Sequence, residues 1–299
     1  MSLLIVGSVA LDSVETPKGS VHRVLGGAAS YASIAASHFV KTHLVGIVGD
    51  DFPPEHLAVF ENHGVDTRAL EKRSGQTFFW AGRYHSDLIH RDTLITELGV
   101  FENWLPEIPE NLRQSPYVFL GNIHPDLQMH VLDQMKGVRF VGCDTMNLWI
   151  NIARKELDQV IRRVDLLFVN DEEARMLTGE ISLSRAAKAI QNMGPKMVII
   201  KRGEHGATLH SGEQVFFVPA LPLDEVADPT GAGDTFAGAL MGYVAGQNDH
   251  RFEQLCRGLT HGAVLASYCV EDFSLNQLLK VDHPQIQKRL DQLLAMIKF

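Results

Sequence analysis

Several features that define common functional classes are missing from this sequence. Its 299 residues include only three cysteines, Cys143, Cys256 and Cys269, whose odd number and wide spacing argue against a disulfide framework or a cysteine-ligated zinc site. No apolar run approaches the roughly 20 residues of a membrane-spanning helix. The opening MSLLIVGSVALD lacks the basic lead of a signal peptide and is expected to form a buried strand. We expect the chain to work in a reducing cytoplasm.

Charge and motif content exclude further classes. The formal net charge is −9 and no Lys/Arg tract is present, so the electrostatic footprint of a nucleic-acid-binding protein is missing. The P-loop pattern G-x-x-x-x-G-K-[ST], the H-R-D and D-F-G motifs of protein kinases and the G-x-S-x-G elbow of α/β-hydrolases are also absent. The 14 histidines show no tight metal-ligand spacing. Function must therefore be inferred from other segments.

Predicted strands and helices alternate along the chain. The length and the 45% hydrophobic content suit one large α/β domain with an appendage. A strand over 3–10, a small-residue helix over 26–39 and a strand over 43–48 form a β-α-β unit, which indicates a parallel sheet with crossover helices. The alternation resumes at Tyr117 and passes, through a hairpin with its turn at Ser211, to a mostly helical end.

Two β-prone segments interrupt this alternation. Residues 12–25 are polar and contain the alternating stretch VHRVL, which predicts a hairpin. Residues 72–101 include the aromatic run TFFWAGR and continue with mixed polarity. We expect the two segments to form a small separate sheet, a lid.

The stretch DPTGAGDTFAGAL, residues 228–240, has the composition of an anion site. Gly231 and Gly233 permit backbone angles that other residues avoid, so consecutive N–H groups could point into one concave nest. The nest opens a helix, whose unpaired N–H groups and positive dipole end favour a negative charge. A carboxylate there would repel a resting phosphate but could take a proton during transfer, which makes Asp234 a candidate base. A tight turn with Asp as helix cap is the alternative interpretation.

The same thirteen residues resemble the signature of the ribokinase-like (PfkB) carbohydrate kinase family, D-x-x-G-A-G-D followed by a small-residue helix. The resemblance runs in motif order along nearly the whole chain. It implies a ribokinase-like three-layer α/β/α fold, with a mostly parallel central sheet and a small β lid, in a single domain over 1–299. It also implies an ATP-dependent phosphotransferase that uses Mg²⁺ and phosphorylates a hydroxyl of a small sugar or polyol. Gly231, Ala232 and Gly233 would then stabilise the transferring phosphate, and Asp234 would deprotonate the acceptor.

The resemblance places acceptor residues near the N-terminus. Gly7 and Asp12 keep the spacing at which similar kinases bind two substrate hydroxyls, with a turn or cap residue as the alternative. Gly26 and Gly27 match a segment that borders the acceptor, although close helix–sheet packing also accounts for them. Tyr31 stands where the family usually has a substrate-binding Asn. This departure suggests a site that packs a ring face or a reshaped pocket.

Metal roles also follow from the resemblance. Asn170 and Glu173 match an N-x-x-E motif that organises Mg²⁺ and its waters, while a helix capping box explains the same spacing. Asp228 matches a residue of the monovalent-cation site in the family, which would allow activation by K⁺. The later VEDFS stretch departs from the family's loop, so K⁺ activation is an open alternative.

Nucleotide contacts are implied for the segment after a strongly apolar strand. Lys201, Arg202, Gly203 and Gly206 match a strand-Gly-x-x-Gly segment that lies against the nucleotide in similar kinases. Arg202 could instead be a solvated rim residue. His261 falls at a helix position that approaches adenine or its ribose in the family, with a core histidine as the alternative.

The sequence leaves the chemical identity of the acceptor open. A nucleoside is the main alternative, because the lid carries aromatic residues that could stack on a base: Phe78, Phe79, Trp80 and Tyr84. A phosphosugar would need cations, for which Arg83 and Arg91 are the nearest candidates.

Two further alternatives concern assembly and activity. The lid segment 77–84 would suit a homodimer edge. A catalytically silent kinase-like binding module is the alternative to an enzyme, although such a module would have no chemical need for the nest or for Asp234. No membrane or nucleic-acid partner is expected.

Overall fold

A computed structural model describes residues 1–297 of the chain. Its strands are β1 (Ser2–Val6), β2 (Ala10–Thr16), β3 (Gly19–Gly26), β4 (Lys41–Val48), β5 (Asp66–Lys72), β6 (Phe79–Tyr84), β7 (Arg91–Glu97), β8 (Tyr117–Leu120), β9 (Phe140–Asp144), β10 (Leu166–Asn170), β11 (Met197–Lys201), β12 (Ala207–Ser211) and β13 (Gln214–Val218). Its α-helices are α1 (Ala28–Ser37), α2 (Pro54–Asn62), α3 (Pro125–Gln134), α4 (Asn147–Ile152), α5 (Arg154–Ile161), α6 (Asp171–Thr178), α7 (Leu183–Gln191), α8 (Ala232–Gln247), α9 (Phe252–Cys269) and α10 (His283–Ile297). Residues 298 and 299 of the expected domain lie outside the described range.

The larger sheet is mostly parallel. Within residues 1–297 it has nine strands in the order β13-β12-β11-β10-β9-β8-β1-β4-β5. In this order, the neighbouring strands β11, β10, β9, β8, β1, β4 and β5 pair in parallel. The strands β12 and β13 add an antiparallel hairpin at one edge. Parallel neighbours need crossover connections, and helices supply them here. The carboxyl ends of these strands therefore share one edge, where open α/β sheets bind ligands.

Helices cover both faces of this sheet. Leu3 and Ile5 of β1 belong to a buried apolar cluster that includes α1, α8 and α9. Leu4 and Val6 belong to a second cluster that includes α3, α5 and α7. Successive side chains of a strand point to opposite faces, so this division gives three layers, as the sequence predicts. None of the helices within residues 1–297 combines the length and apolar character needed to cross a bilayer.

A second sheet forms the lid. It has the order β3-β2-β6-β7 within the described residues, with β2 parallel to β6 and the other pairs antiparallel. The chain passes from Val6 of β1 to Ala10 of β2 with only three residues between them, so the lid projects from the carboxyl edge of the large sheet. Every residue of β7 is exposed.

The small residues of α1 and α8 let these two helices approach closely. A Cβ at Gly238 would overlap the main chain of Ala32, and one at Gly242 would lie 2.7 Å from the Cα of Ala36. Glycine is therefore required at Gly238 for space rather than for an unusual backbone angle. The contact fixes the position of α8, and with it the position of the helix's N-terminus.

The first predicted elements have different boundaries in the structure. The strand expected over 3–10 divides into β1 and β2, because the chain turns after Val6, where the Ser8 carbonyl and hydroxyl accept hydrogen bonds from the amides of Ala29 and Ala28. The helix expected over 26–39 begins at Ala28, because Gly27 has φ 92°.

Two elements were not predicted from the sequence. The strand β5 has the polar sequence DTRALEK and pairs only with β4 at the sheet edge, so it lacks the apolar run of the central strands. The helix α4 has six residues, NLWINI, with too few turns for a helical period to show.

We predict that Gly238→Val destabilises the fold by about 1–3 kcal/mol or more, because the new side chain must push α8 away from α1. Gln247→Val, at the exposed end of the same helix, is the matched control and carries the same β-branched residue. Urea unfolding followed by circular dichroism measures both. Equal stability of the two variants would contradict the packing argument.

Candidate active site

The carboxyl ends of three strands bring polar side chains together. Asp144 ends β9, Asn170 ends β10 and Lys201 ends β11, and β10 lies between the other two strands. The Nζ of Lys201 lies 2.7 Å from Oδ2 of Asp144, with side-chain exposures of 19% and 4%. This largely buried ion pair crosses the end of β10.

The N-terminus of α8 faces the same edge. Gly231 precedes the helix with φ 76°, a left-handed conformation that favours glycine. Its carbonyl accepts a hydrogen bond from the amide of Thr235. The amide of Ala232, which was expected to face the phosphate, donates to the carbonyl of Pro229 at 3.3 Å instead. The amides of Gly233 and Asp234 have no acceptor on another residue within residues 1–297. These free donors and the positive end of the helix dipole form a site for an anion.

The second glycine of the motif has a different role from the one expected. Gly233 lies inside α8 and does not adopt a positive φ, so the prediction of a special backbone angle was wrong at this position. Its missing side chain instead leaves space for Lys201, whose Nζ would lie 3.2 Å from a Cβ there. The glycine therefore allows the ammonium group to approach the first turn of the helix.

Asp234 lies in the first turn of α8 with a carboxyl group that is only partly accessible. No hydrogen bond joins it to another side chain within the described residues. Burial raises the pKa of Asp234 to about 7; Asp144 adds to this rise, while Lys201 and Arg91 oppose it. A carboxyl group that titrates near neutrality is suited to accept a proton at that position.

Asp12 and the two glycines form a unit. The carboxyl group of Asp12 occupies the space where a Cβ of Gly26 would be, and the amide of Gly27 donates a hydrogen bond to it. Burial raises the pKa of Asp12 to about 7, with further contributions from Asp228 and Asp234. The structure thus brings the predicted acceptor residue into the electrostatic neighbourhood of the predicted base.

Tyr31 lies between the predicted acceptor residues and the anion nest. Its ring, 2% exposed, lies on Gly231, where any Cβ would overlap the ring carbons. Its hydroxyl has no hydrogen-bond partner within residues 1–297. Burial raises the pKa of Tyr31 well above its ordinary value, and Asp12 and Asp234 are among the carboxylates that add to the effect. The face of the Tyr31 ring is therefore in contact with the protein at Gly231, and its predicted role in the acceptor site stays a prediction.

Asp228 has a buried oxygen without a partner. Its Oδ1 accepts a hydrogen bond of 2.9 Å from the amide of Thr230, whereas Oδ2 has none within the described residues. Burial raises the pKa of Asp228. A bound cation would satisfy such an oxygen.

Asn170 and Glu173 form the capping box that was the alternative to a metal role. The amide of Glu173 donates to Oδ1 of Asn170 and the amide of Asn170 donates to Oε2 of Glu173, both at 2.7 Å. Burial raises the pKa of Glu173 to about 7, Lys201 lowers it and Asp144 raises it. Oε1 of Glu173 keeps no hydrogen bond within residues 1–297.

The side chains available as metal ligands suit a hydrated metal ion better than an ion that is bound by protein ligands alone. No group of three His, Cys, Asp or Glu side chains within residues 1–297 could hold a metal directly. Mg²⁺ usually keeps several waters and takes one or two carboxylates together with substrate phosphates, which suits the free Oε1 of Glu173.

The segment after β11 forms a tight turn. Gly203 has φ 52° and open space beside it, which would permit a nucleotide to approach. Gly206 has φ 81°, and a Cβ there would overlap the carbonyl of Val218, so protein packing explains this glycine. Arg202 forms no ion pair within the described residues. The turn keeps Lys201 and Gly203 at the sheet edge.

His261 packs against aromatic residues and not against the polar residues at the strand ends. Its imidazole stacks on Tyr243 with ring centroids 4.6 Å apart and meets Phe39 edge-on at 5.0 Å. Burial lowers the pKa of His261 to about 4, so the ring is neutral. Its Nδ1 is buried and has no hydrogen-bond partner within residues 1–297, so the ring packs in the core without being a satisfied core histidine, and the adenine contact stays a prediction.

The lid lies against the nest. The hydroxyl of Thr230 donates to the hydroxyl of Tyr84 at 3.3 Å. Arg91 is the cross-strand partner of Tyr84, and its charge lowers the pKa of Asp234 and Glu173. A separate cleft of about 390 Å³ lies along residues 221–225 and α10 and contains none of the predicted site residues.

Asp144 is the site residue that the sequence interpretation missed. It is the last residue of a buried apolar strand, the same position that Asn170 and Lys201 hold in theirs. That shared position is a usable signal, because parallel strands end at one edge of the sheet. Asp144 follows no recognisable motif, so only the strand pattern could have identified it.

The chain is similar to known proteins over most of its length. The model of the pfkB family of carbohydrate kinases matches residues 2–271. A cytidine kinase from Thermococcus kodakarensis is 33% identical over 255 residues, covering 83% of this chain and 90% of that protein. A nucleoside kinase from Thermoplasma acidophilum is 26% identical over 285 residues, covering 90% of this chain and 88% of that protein.

Solved structures share the fold. Ribokinase from Arabidopsis thaliana, complexed with ribose and ATP, matches with a TM-score of 0.77 at 24% identity, covering 96% of this chain and 98% of that chain. An E. coli chain in complex with ATP and Mg²⁺ matches with a TM-score of 0.77 at 20% identity, covering 97% and 99%. The ribokinase-like fold predicted from the sequence is confirmed.

We predict that Asp234→Asn raises the melting temperature by several degrees at pH 8 and by much less at pH 5. The folded protein binds this proton more tightly than the unfolded chain does, because burial raises the pKa from 3.8 to about 7. The stabilisation from this group is therefore lost as the pH rises through about 7. Calorimetry measures both values, with exposed Asp224→Asn as control. A variant that melts lower than the wild type at pH 8 would contradict this electrostatic argument.

Proposed function

The chain belongs to the pfkB family of carbohydrate kinases and is an ATP-dependent kinase of a small hydroxylated substrate, and we propose that this substrate is a nucleoside. The sequence alone favoured a sugar or polyol, with a nucleoside as the alternative. The two relatives described above, a cytidine kinase and a nucleoside kinase, support the change of preference.

The observation that carries the nucleoside proposal is an aromatic platform beside Asp12. Trp80 pairs with Asp12 in the register of β2 and β6, so both side chains lie on one face of the lid. The indole lies over Gly82, where a Cβ would overlap it, and Nε1 donates to Thr93 at 3.4 Å. The guanidinium of Arg91 lies 5.8 Å from the ring. A base could stack on this partly exposed ring while Asp12 binds the ribose hydroxyls.

The other lid residues considered are less suited to the acceptor. Phe79 and Tyr84 are 7% exposed, and Phe78 packs on Phe101. Arg83 pairs with Glu15 at 2.9 Å on the exposed surface, which weakens the phosphosugar alternative.

The proposed reaction is an in-line transfer. The acceptor oxygen bonds to the γ-phosphorus of ATP as the bond to the β-phosphate oxygen breaks, and ADP leaves with that electron pair. Asp12 and the Gly26–Gly27 segment hold the acceptor, and its hydroxyl proton passes to Asp234. The free amides at Gly233 and Asp234 meet the negative charge on the transferring group.

Positioning and charge neutralisation complete the mechanism. Asn170 and Glu173 would hold Mg²⁺ through water, and the ion would neutralise charge on the phosphate oxygens. Lys201, Arg202 and Gly203 would border the nucleotide, whereas the ring of His261 packs on Tyr243 and Phe39. The lid would exclude water from the transfer.

We also propose a monovalent-cation site, a homodimer and a cytoplasmic location. The partnerless Oδ2 of Asp228 supports a monovalent-cation site, for which K⁺ is the candidate. The prediction of a dimer edge at 77–84 was wrong, because β6 pairs with β2 on one side and with β7 on the other. The exposed edge strand β7, with Leu94 and Ile95 at 51% and 45% exposure, supports a homodimer through the lid instead. Cytoplasmic location is supported by the three cysteines, which are unpaired.

We predict that Asp234→Asn lowers turnover by about 10²-fold or more, the lower range for loss of a general base. In the wild type, kcat/KM should fall as the pH drops below about 7, because protonated Asp234 cannot accept the hydroxyl proton. A coupled ADP-release assay measures both. Near-normal turnover of the variant would refute the assignment of the base.

We predict that Trp80→Ala raises the KM for a nucleoside by about 10-fold, the effect of losing one stacked base, while Trp80→Phe keeps most of the affinity. ADP release is measured with cytidine, other nucleosides, ribose, fructose and inositol. A sugar or inositol with a higher kcat/KM than every nucleoside would overturn the substrate proposal. Silence across the panel with intact ATP binding would favour the binding module.

A further inference from the structure

The Lys201–Asp144 pair has hydrogen-bonding capacity that the protein does not use. An ammonium group has three donors, and Lys201 gives one to Asp144 at 2.7 Å. No other acceptor within residues 1–297 bonds to this Nζ. Two donors of a largely buried cation therefore remain available to a ligand.

A purely structural role does not explain this pair. Burying two charges costs desolvation energy that their attraction seldom exceeds, and an apolar pair of the same volume is often as stable. Burial acts to lower the pKa of Lys201, but Asp144, Glu173 and Asp234 raise it, so the cation is surrounded by an excess of acid. Such an arrangement suits a site that must hold a positive charge for a highly charged ligand.

The position of the ammonium group relates it to the transferring phosphate. Its Nζ lies beside the first turn of α8, 3.2 Å from where a Cβ of Gly233 would be. The free amides of Gly233 and Asp234 belong to the same turn. Lys201 and the nest therefore face a common space, and both supply donors to it.

We propose that Lys201 is a catalytic residue that contacts the transferring phosphoryl group, and that Asp144 is the residue that positions it. This inference rests on the proposed function. In the transfer described above, Lys201 stays protonated and donates hydrogen bonds to non-bridging oxygens of the phosphoryl group. The proton of the acceptor still passes to Asp234. Asp144 touches no reactant and acts only by holding the ammonium group over the end of β10.

Binding of nucleotides tests the contact apart from turnover. Isothermal titration calorimetry compares the non-hydrolysable analogue AMP-PNP with ADP. We expect Lys201→Met to weaken AMP-PNP at least 10-fold and ADP much less, because only the first has a γ-phosphoryl group. Turnover should fall about 10²-fold or more, as for loss of one donor to a developing charge. Equal weakening of the two nucleotides, or none, would overturn the proposal.

A double-mutant cycle tests the positioning role. Asp144→Asn should weaken AMP-PNP in the presence of Lys201 and have little further effect in the Lys201→Met background, because Asp144 acts through the lysine. The control pair is Arg154 and Asp158, which lie 2.8 Å apart on α5 away from the strand ends. Arg154→Met and Asp158→Asn should leave both affinities unchanged. Additive effects at Asp144 and Lys201 would overturn the positioning role.

The pH profile separates charge effects from damage to the fold. The groups that face Asp234 electrostatically are Asp12, Tyr31, Arg91, Asp144, Lys201 and Cys269. Lys201→Met should move the acidic limb of kcat/KM to higher pH, and Asp144→Asn should move it to lower pH. Misfolding would not produce opposite shifts. Shifts in the same direction would contradict the proposal.

Two outcomes keep this inference distinct from the proposed function. An active Asp234→Asn enzyme would defeat the proposed base whatever Lys201 does. An inactive Asp234→Asn enzyme together with Lys201→Met of normal turnover and normal AMP-PNP preference would defeat only the inference. If Lys201→Met shows no cooperative melting, Lys201→Arg takes its place. It should keep the preference for AMP-PNP over ADP because it keeps the charge, and loss of that preference would overturn the proposal.

Discussion

The close contact between α1 and α8 sets the dimensions of the whole site. The first of these helices begins directly after Gly27, which holds the Asp12 carboxylate, and the second begins after Gly231, which opens the anion nest. The absence of a side chain at Gly238 brings the two axes together. The acceptor side and the phosphate side are therefore held at a distance fixed by backbone packing, and Tyr31 can bridge them by resting on Gly231.

A second constraint is the concentration of acid near the nest. Burial raises the pKa values of Asp12, Asp228, Glu173 and Asp234, and the cations Lys201 and Arg91 lower those of Glu173 and Asp234. Each carboxylate carries a desolvation cost when ionised. The fold tolerates this cost because the remaining core is large and apolar. Stability is given up where proton transfer and phosphate binding need charge.

The sequence predicted the architecture because it rests on local patterns, and the same patterns indicated most of the residues that the structure brings together at the strand ends. Apolar runs between small-residue helices identify a parallel sheet, and the segment 228–240 identifies the nest. Patterns cannot report what fills the space beside a residue. The sequence indicated that Gly206 allows a ligand to approach and that Gly233 adopts a special backbone angle. In the structure, Val218 occupies the space next to Gly206 and Lys201 the space next to Gly233. His261 occupied an expected position in sequence while its side chain points to Tyr243.

The residue proposed to hold the acceptor and the residue proposed to deprotonate it belong to different parts of the fold. Asp12 is part of β2 in the lid, whereas Asp234 is part of α8 on the large sheet. The two parts are nevertheless tied together, because the carboxyl group of Asp12 fills the space beside Gly26 and accepts a hydrogen bond from the amide of Gly27, where α1 begins. The residue proposed to hold the acceptor is therefore coupled to the helix pair that positions the proposed base, and the hydroxyls of a substrate would be aligned as they bind Asp12.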